Sequence, residues 1–263
     1  MKVNKIKHLI LIKLIIFLGK IIEINFLRNI FKIIIDKKKF TTVADIFLDK
    51  FIRLGIFLLY PGKGVLSEES RKNKNISWII DPLDGTMSFV NGFKGYVIQA
   101  CRIESGIVEE SIIYAPASND CFSYLSGDLP RKNLKVIEKL KDNDERLAII
   151  DNYPKPRGIA KFLLENIQNS IYIESGSLSM KSLLVCLGLA DIFVKDIPVR
   201  DWDVAPIVPF LGLRDCIMQD INGNLFTINP LSFEKKGLVV TPAIYSKQLL
   251  PLIKSYLDVN VIK

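Results

Sequence analysis

The hydrophobic pattern changes character three times along the chain. Residues 9–35 are dense in Ile, Leu and Phe, but Lys13, Lys20, Glu23, Arg28 and Lys32 interrupt every apolar run. A spanning helix needs about 20 mostly apolar residues, so this spacing predicts one or two amphipathic helices instead. Phe40–Leu59 starts on the polar pair Thr41-Thr42 and continues with Ile46, Phe47, Phe51 and Ile52 at helical spacing. Pro61-Gly62-Lys63-Gly64 breaks the chain. Trp78-Ile79-Ile80 then reads as a short buried strand running into Asp81-Pro82-Leu83-Asp84-Gly85-Thr86. Tyr96–Ile103, Val108–Tyr114 and Cys121–Leu125 read as antiparallel strands, with turns at Ser105-Gly106 and Ala115–Asn119.

The polar stretch Ser126–Arg146 separates this part from a second one. There Leu147–Ile150, Ile171–Glu174 and Ile192–Val194 read as strands and Ser179–Leu187 as a helix. The organisation expected is an α+β N-terminal half, 1–145, followed by an α/β C-terminal half, 146–263.

Composition narrows the chemistry. Of 263 residues, 49% are hydrophobic and 24% charged, which is ordinary for a globular protein. Cys101, Cys121, Cys186 and Cys216 form no CxxC pair, which favours buried thiols in a reducing, cytoplasmic setting. His8 is the single histidine, so a Ser-His-Asp triad or a His-rich metal site is a poor fit and catalysis should rest on carboxylates. The net charge of +8 is unevenly placed. Residues 1–40 hold ten Lys and Arg, Lys39 among them, against Glu23 and Asp36, and the remainder of the chain is neutral. A neutral body argues against specific nucleic-acid binding. For the basic, apolar N-terminus two readings stay open: helices packed on the body, or a helix that also touches a membrane surface. No small-residue cleavage site follows it.

Three acidic clusters carry the candidate chemistry: Glu68-Glu69, Asp81 with Asp84, and Asp201 with Asp203. Alone, the first is most often a solvated loop, the second a turn, and the third a helix cap over Ala205-Pro206. Together they say more. A strand ending in Asp-Pro-Leu-Asp-Gly-Thr sets two carboxylates at a turn whose following N–H groups can face an anion. Gathered carboxylates repel one another unless a cation lies among them, and hard oxygen donors suit Mg²⁺. That equipment fits phosphoryl chemistry.

The sequence resembles the inositol monophosphatase superfamily of Mg²⁺-dependent, lithium-sensitive phosphatases. Asp81–Thr86 followed by Phe89 matches the family's first signature, and Trp202-Asp203-Val204-Ala205 its second. Ser67-Glu68-Glu69 and Thr42-Val43-Ala44-Asp45 match two further elements, and the similarity runs from about Leu14 to Ile253. The resemblance implies a layered αβαβα sandwich of the α/β class. It implies two or three Mg²⁺ per site, held by Glu68, Asp81, Asp84, Asp203 and the Leu83 carbonyl. Gly85 and Thr86 would offer N–H groups to the phosphate. Asp45 and Thr86 would orient and help deprotonate the attacking water, with no covalent enzyme intermediate. A metal lowers the pKa of water by many units, so the scarcity of histidine is no obstacle.

Within the superfamily, several features are similar to the 3′(2′),5′-bisphosphate nucleotidases: Ser67-Glu68-Glu69, Tyr114-Ala115-Pro116, Lys181 after Gly176-Ser177, and Lys195 four residues after Asp191. A lysine at 195 suits a second phosphate better than a sugar hydroxyl. Ala205-Pro206, Gly212-Leu213-Arg214 and Met87-Ser88 depart from the family pattern. Alternatives are an inositol-phosphate or broad sugar-phosphate phosphatase, and a regulatory or RNA-associated protein on the same fold. The expected partner is a small phosphorylated substrate, for a monomer or a homodimer.

Overall fold

The computed structural model describes residues 2–38, 40–69, 76–140, 146–228 and 236–260; Lys39 lies outside the described residues. The chain divides into two compact units. The first comprises residues 1–137 together with 201–209, and the second residues 138–200 and 210–263. The stretch containing Asp203 therefore folds with the N-terminal part of the chain and not with its sequence neighbours.

The first unit opens with helices α1 (Lys2–Ile22) and α2 (Asn25–Phe31). A two-stranded ribbon, β1 (Ile34–Asp36) and β2 (Thr41–Thr42), leads into α3 (Val43–Leu59). Thr42 ends the extended segment and caps α3 reciprocally with Asp45, which fixes where the helix starts. A seven-stranded sheet follows in the order β3 (Gly64–Ser67), β4 (Ile76–Asp84), β5 (Val97–Glu104), β6 (Ile107–Ala115), β7 (Asp120–Leu125), β8 (Arg131–Lys132) and β9 (Lys135–Val136). Only β3 and β4 are parallel. Between β4 and β5 lies the short helix α4 (Thr86–Asn91).

Strand alternation assigns the two faces of this sheet different partners. Trp78, Ile80, Ile98, Ala100, Ile112 and Tyr114 share a buried cluster with Leu11, Ile15 and Leu18 of α1 and Leu48, Ile52 and Ile56 of α3. The opposite face carries Asp81, Gln99, Cys101 and Ser111. There the helical turn Asp201–Val204, which continues as the 3₁₀ helix Ala205–Leu213, is tied down. Gln99 Nε2 donates to the Trp202 carbonyl at 2.9 Å, and Ser111 Oγ donates to the Pro206 carbonyl at 2.7 Å.

The second unit has a five-stranded sheet built from β10 (Leu147–Asp151), β11 (Ser170–Glu174), β12 (Ile192–Lys195), β13 (Cys216–Gln219) and β14 (Leu238–Pro242). Their order is β11-β10-β12-β14-β13, parallel from β11 to β12 and antiparallel beyond. Its helices are α5 (Gly158–Asn166), α6 (Leu178–Cys186) and a C-terminal helix, Ala243–Asn260. The expected α/β class is thus what the structure shows. One expected element changes shape: Trp78–Ile80 is the middle of a longer strand, because β4 keeps pairing with β5 through Asp84, across an irregularity between Asp81 and Asp84. Pro82 has no N–H to give a ladder, so the irregularity is where a proline can be tolerated.

Candidate active site

Eight of the sequence-predicted site residues belong to the first unit: Asp45, Glu68, Asp81, Leu83, Asp84, Gly85, Thr86 and Asp203. Asp81 and Asp84 ride on the irregular end of β4 and are both buried. Asp81 Oδ1 accepts the Leu83 N–H at 3.0 Å, which folds the Asp-Pro-Leu turn and holds the Leu83 carbonyl in place. Gly85 then adopts φ +92°, a left-handed conformation that an L side chain resists, and serves as N-cap of α4 without a capping side chain. The first N–H groups of α4 are thereby left for a ligand or solvent.

Asp45 comes from the first turn of α3 and is almost fully buried. Its Oδ2 accepts from the Thr42 N–H at 2.7 Å and the Thr42 hydroxyl at 2.5 Å. Its Oδ1 lies 3.1 Å from Thr86 Oγ1, which is also 2.9 Å from the Leu83 carbonyl oxygen. One hydroxyl proton thus has two acceptors, and the threonine links the carboxylate to the turn. Glu68 follows β3, and its N–H donates to the Ile80 carbonyl across the parallel pair. Ser67 donates to Asp49 at 2.5 Å, and Thr41 donates to Glu69, so the acidic loop is anchored on α3 and β2.

Electrostatics set these carboxylates apart from ordinary surface acids. Burial, then the charges of Glu68, Asp84 and Asp203, push the Asp81 carboxyl well above the usual range. Burial and the neighbouring Glu69 carboxylate push Glu68 up to about 7. Burial also raises Asp45, outweighing its hydrogen bonds from Thr42 and Thr86. Among the described residues, no three His, Cys, Asp or Glu side chains are drawn close enough to enclose an ion as they stand. Charge is felt over a longer range than ligation, so the two observations are compatible. The donor set, carboxylates plus a turn carbonyl, has the hard-oxygen chemistry that Mg²⁺ prefers.

The substrate-binding residues expected from the sequence, Gly176, Lys181 and Lys195, belong to the second unit. Lys181 is no surface lysine. It is 3% exposed, its Nζ donates to the Gly176 carbonyl at 2.8 Å, and it lies 5.0 Å from the centre of the Phe193 ring. Lys195, at the end of β12, reaches Asn152 Oδ1 at 3.2 Å and Asp151 Oδ1 at 3.6 Å.

The profile of the inositol monophosphatase family matches residues 10–258. The chain belongs to the inositol monophosphatase family. It is accordingly a metal-dependent phosphoric monoester hydrolase. Among curated relatives, the 3′(2′),5′-bisphosphate nucleotidase CysQ of Haemophilus influenzae is 27% identical over 215 residues, 76% of this chain and 77% of that protein. The Nus factor SuhB of Xylella fastidiosa is 28% identical over 193 residues, 70% of each. Among solved structures, the Thermotoga maritima IMPase TM1415 superposes with a TM-score of 0.75 at 22% identity, covering 94% of this chain and 96% of that one. Inositol monophosphatase-II of Staphylococcus aureus gives 0.74 at 20% identity, with 99% and 95% covered. The fold of this family member is therefore that of its structurally known relatives.

Several supporting residues escaped the sequence. The Thr42–Asp45 capping box has a signature, a threonine followed three residues later by an acid, and was legible. Gln99 and Ser111 had none, since their partners are backbone carbonyls about a hundred residues away. Arg214, which stands where the family pattern departs, is buried and pairs with Asp191 at 2.6 Å.

Proposed function

We propose that this phosphatase is a Mg²⁺-dependent 3′(2′),5′-bisphosphate nucleotidase that removes the 3′-phosphate of adenosine 3′,5′-bisphosphate. The observation that carries the reaction is the gathering of Glu68, Asp81, Asp84 and Asp203, in which burial and the neighbouring carboxylates raise the proton affinity of Asp81 and Glu68. These four and the Leu83 carbonyl would hold Mg²⁺, which supplies charge to the phosphoryl oxygens and acidifies water when bound.

The chain's own groups do the rest. Thr86 Oγ1 accepts a hydrogen bond from the attacking water while donating its own proton toward Asp45 Oδ1. Burial makes Asp45 a stronger base than an exposed aspartate, so it is suited to draw the proton off through that threonine. The Gly85 and Thr86 N–H groups at the start of α4 face the phosphate charge.

Two features favour a bisphosphate over an inositol ester. Lys195 stands at a strand end beside Asn152, suited to a second phosphate, and Lys181 is held within its unit by Gly176 and Phe193. Of the first three curated relatives, two are named 3′(2′),5′-bisphosphate nucleotidases and one a Nus factor. Phosphate release from adenosine 3′,5′-bisphosphate is expected to exceed release from inositol 1-phosphate; the reverse order would assign the inositol-phosphatase alternative. Asp84→Asn should cost several kcal/mol of transition-state stabilisation, about a thousandfold in turnover, with the fold intact. Full activity in that variant would refute the metal assignment. Four buried, unpaired thiols fit a cytoplasmic enzyme.

A further inference from the structure

A helix that packs on a core needs one apolar stripe. Helix α1 has two. Leu11, Ile15, Leu18 and Ile22 face the sheet and are fully or almost fully buried. Ile10 and Phe17, on the far side, are 47% and 61% exposed. The outer stripe continues onto α3, which lies along α1 so closely that a Cβ on Gly55 would meet Leu14. By helical periodicity Leu54 and Leu58 flank that contact on the outward side, and both are exposed. On α2, Phe26 is the most exposed large apolar side chain among the described residues, at 82%. Monomeric surfaces seldom carry so continuous an apolar face without a partner.

The charge around the face identifies the partner's chemistry. Lys13 and Lys20, two turns apart on α1, are exposed on either side of Phe17, and Lys50 is exposed on α3. The carboxylates of α3 and of the link between α1 and α2 are all engaged within the protein. Glu23 pairs with Arg28 and accepts from Tyr96, Asp45 is buried, and Asp49 accepts from Ser67 and pairs with Arg53. Beside the same lysines runs a groove of about 400 Å³, floored by Leu9, Ile12, Ile16 and Leu134 and rimmed by Lys13, Lys20 and Asn133. Apolar floor and cationic rim match an amphiphile with an anionic head. A second copy of the chain matches poorly, because a two-fold contact through this face would bring its lysines toward their own equivalents.

We propose that the outer face of α1, α2 and α3 docks on anionic phospholipid bilayers, holding the phosphatase at the membrane surface as a peripheral protein. No helix among the described residues is long and apolar enough to cross a membrane, so the contact is interfacial. Lys13 and Lys20 meet the headgroups, Phe17 and Phe26 enter the acyl boundary, and the groove accepts part of a lipid.

The test is flotation of the full chain with vesicles of phosphatidylglycerol and phosphatidylcholine in equal parts, and with phosphatidylcholine alone. The protein should float with the first and not the second, and release as salt is raised. Lys13→Gln with Lys20→Gln should weaken partition by about fivefold for each lysine. Phe17→Ser with Phe26→Ser should weaken it too, with unchanged thermal melting and phosphate release. Three results would overturn the proposal. One is no flotation with the anionic vesicles. Another is full binding by the phenylalanine variant, which would mean charge adsorption without insertion. The third is a dimer of the wild type, in sedimentation, that the phenylalanine variant dissociates; the face would then belong to a second copy.

Discussion

Glu110 shows at the residue scale how a charged group is kept in an apolar interior. Its side chain is fully buried under α1. Tyr60 donates to Oε2 at 2.8 Å, Arg102 Nε donates to Oε1 at 2.7 Å, and His8 Nδ1 lies 3.1 Å from Oε2. Burial alone would raise its pKa, but the hydrogen bonds from His8, Tyr60 and Arg102 outweigh it and the carboxyl sits below its ordinary value. A carboxylate whose folded pKa is depressed contributes stability above its unfolded pKa, and loses it as pH falls through the folded value. Glu110→Gln should therefore destabilise the first unit by about 3 kcal/mol near neutrality, because Arg102 loses its buried partner. The deficit should shrink as pH falls below the ordinary glutamate value and through the depressed folded one, where the wild-type carboxylate loses its charge. Chemical denaturation at pH 7 and pH 3.5 checks both parts; equal deficits at the two pH values would contradict the assignment. The single histidine thus has a structural place beside this carboxylate.

At the scale of elements, the approach of α1 to the sheet depends on a missing side chain. A Cβ on Gly19 would come within 2.5 Å of the Tyr114 ring, which is fully buried on β6. Tyr114 donates to Asn119 Oδ1 at 2.9 Å and cannot swing aside without losing that bond. Gly19→Ala should therefore cost about 1–3 kcal/mol, although alanine is the better helix former. A melting temperature at or above that of the wild type would show that the helix can lift without penalty. Gly85 is constrained differently: its positive φ makes the turn from β4 into α4, and the positions of Asp84 and Thr86 follow from that turn.

For the whole molecule, the decisive fact is that segment 201–209 folds with the first unit. It delivers Asp203 to the face of the sheet that already carries Asp81, and the two carboxylates feel one another. A cation among them would bind the folded arrangement and not the unfolded chain. At about a hundred times its dissociation constant, Mg²⁺ should then add about 2.7 kcal/mol to the stability of the first unit. Amide exchange across 201–209 and the β4 end should slow together. Asp84→Asn should abolish both effects. Slowing at β4 alone would remove Asp203 from the ligand set.

By itself, the sequence determined the classes of element, the two clusters of strands, the signature that places Asp81, Asp84, Gly85 and Thr86 on one turn, and the family. Those are local or periodic properties: apolar spacing reports which side of a helix or strand seeks cover, and a short motif carries its own turn geometry. Tertiary structure alone decided what meets what. Gln99 and Ser111 hold the Asp203 segment through backbone carbonyls, and such acceptors leave no trace in side-chain identity. Arg214 finds Asp191, and Lys181 is buried where composition counts it as one more surface charge. The N-terminal helix makes the same point. Its pattern showed an apolar helix edged with lysines, but only packing could separate the stripe that fills the core from the one left facing outward. Burial depends on the partner surface, and a linear sequence does not contain that surface until the chain has folded.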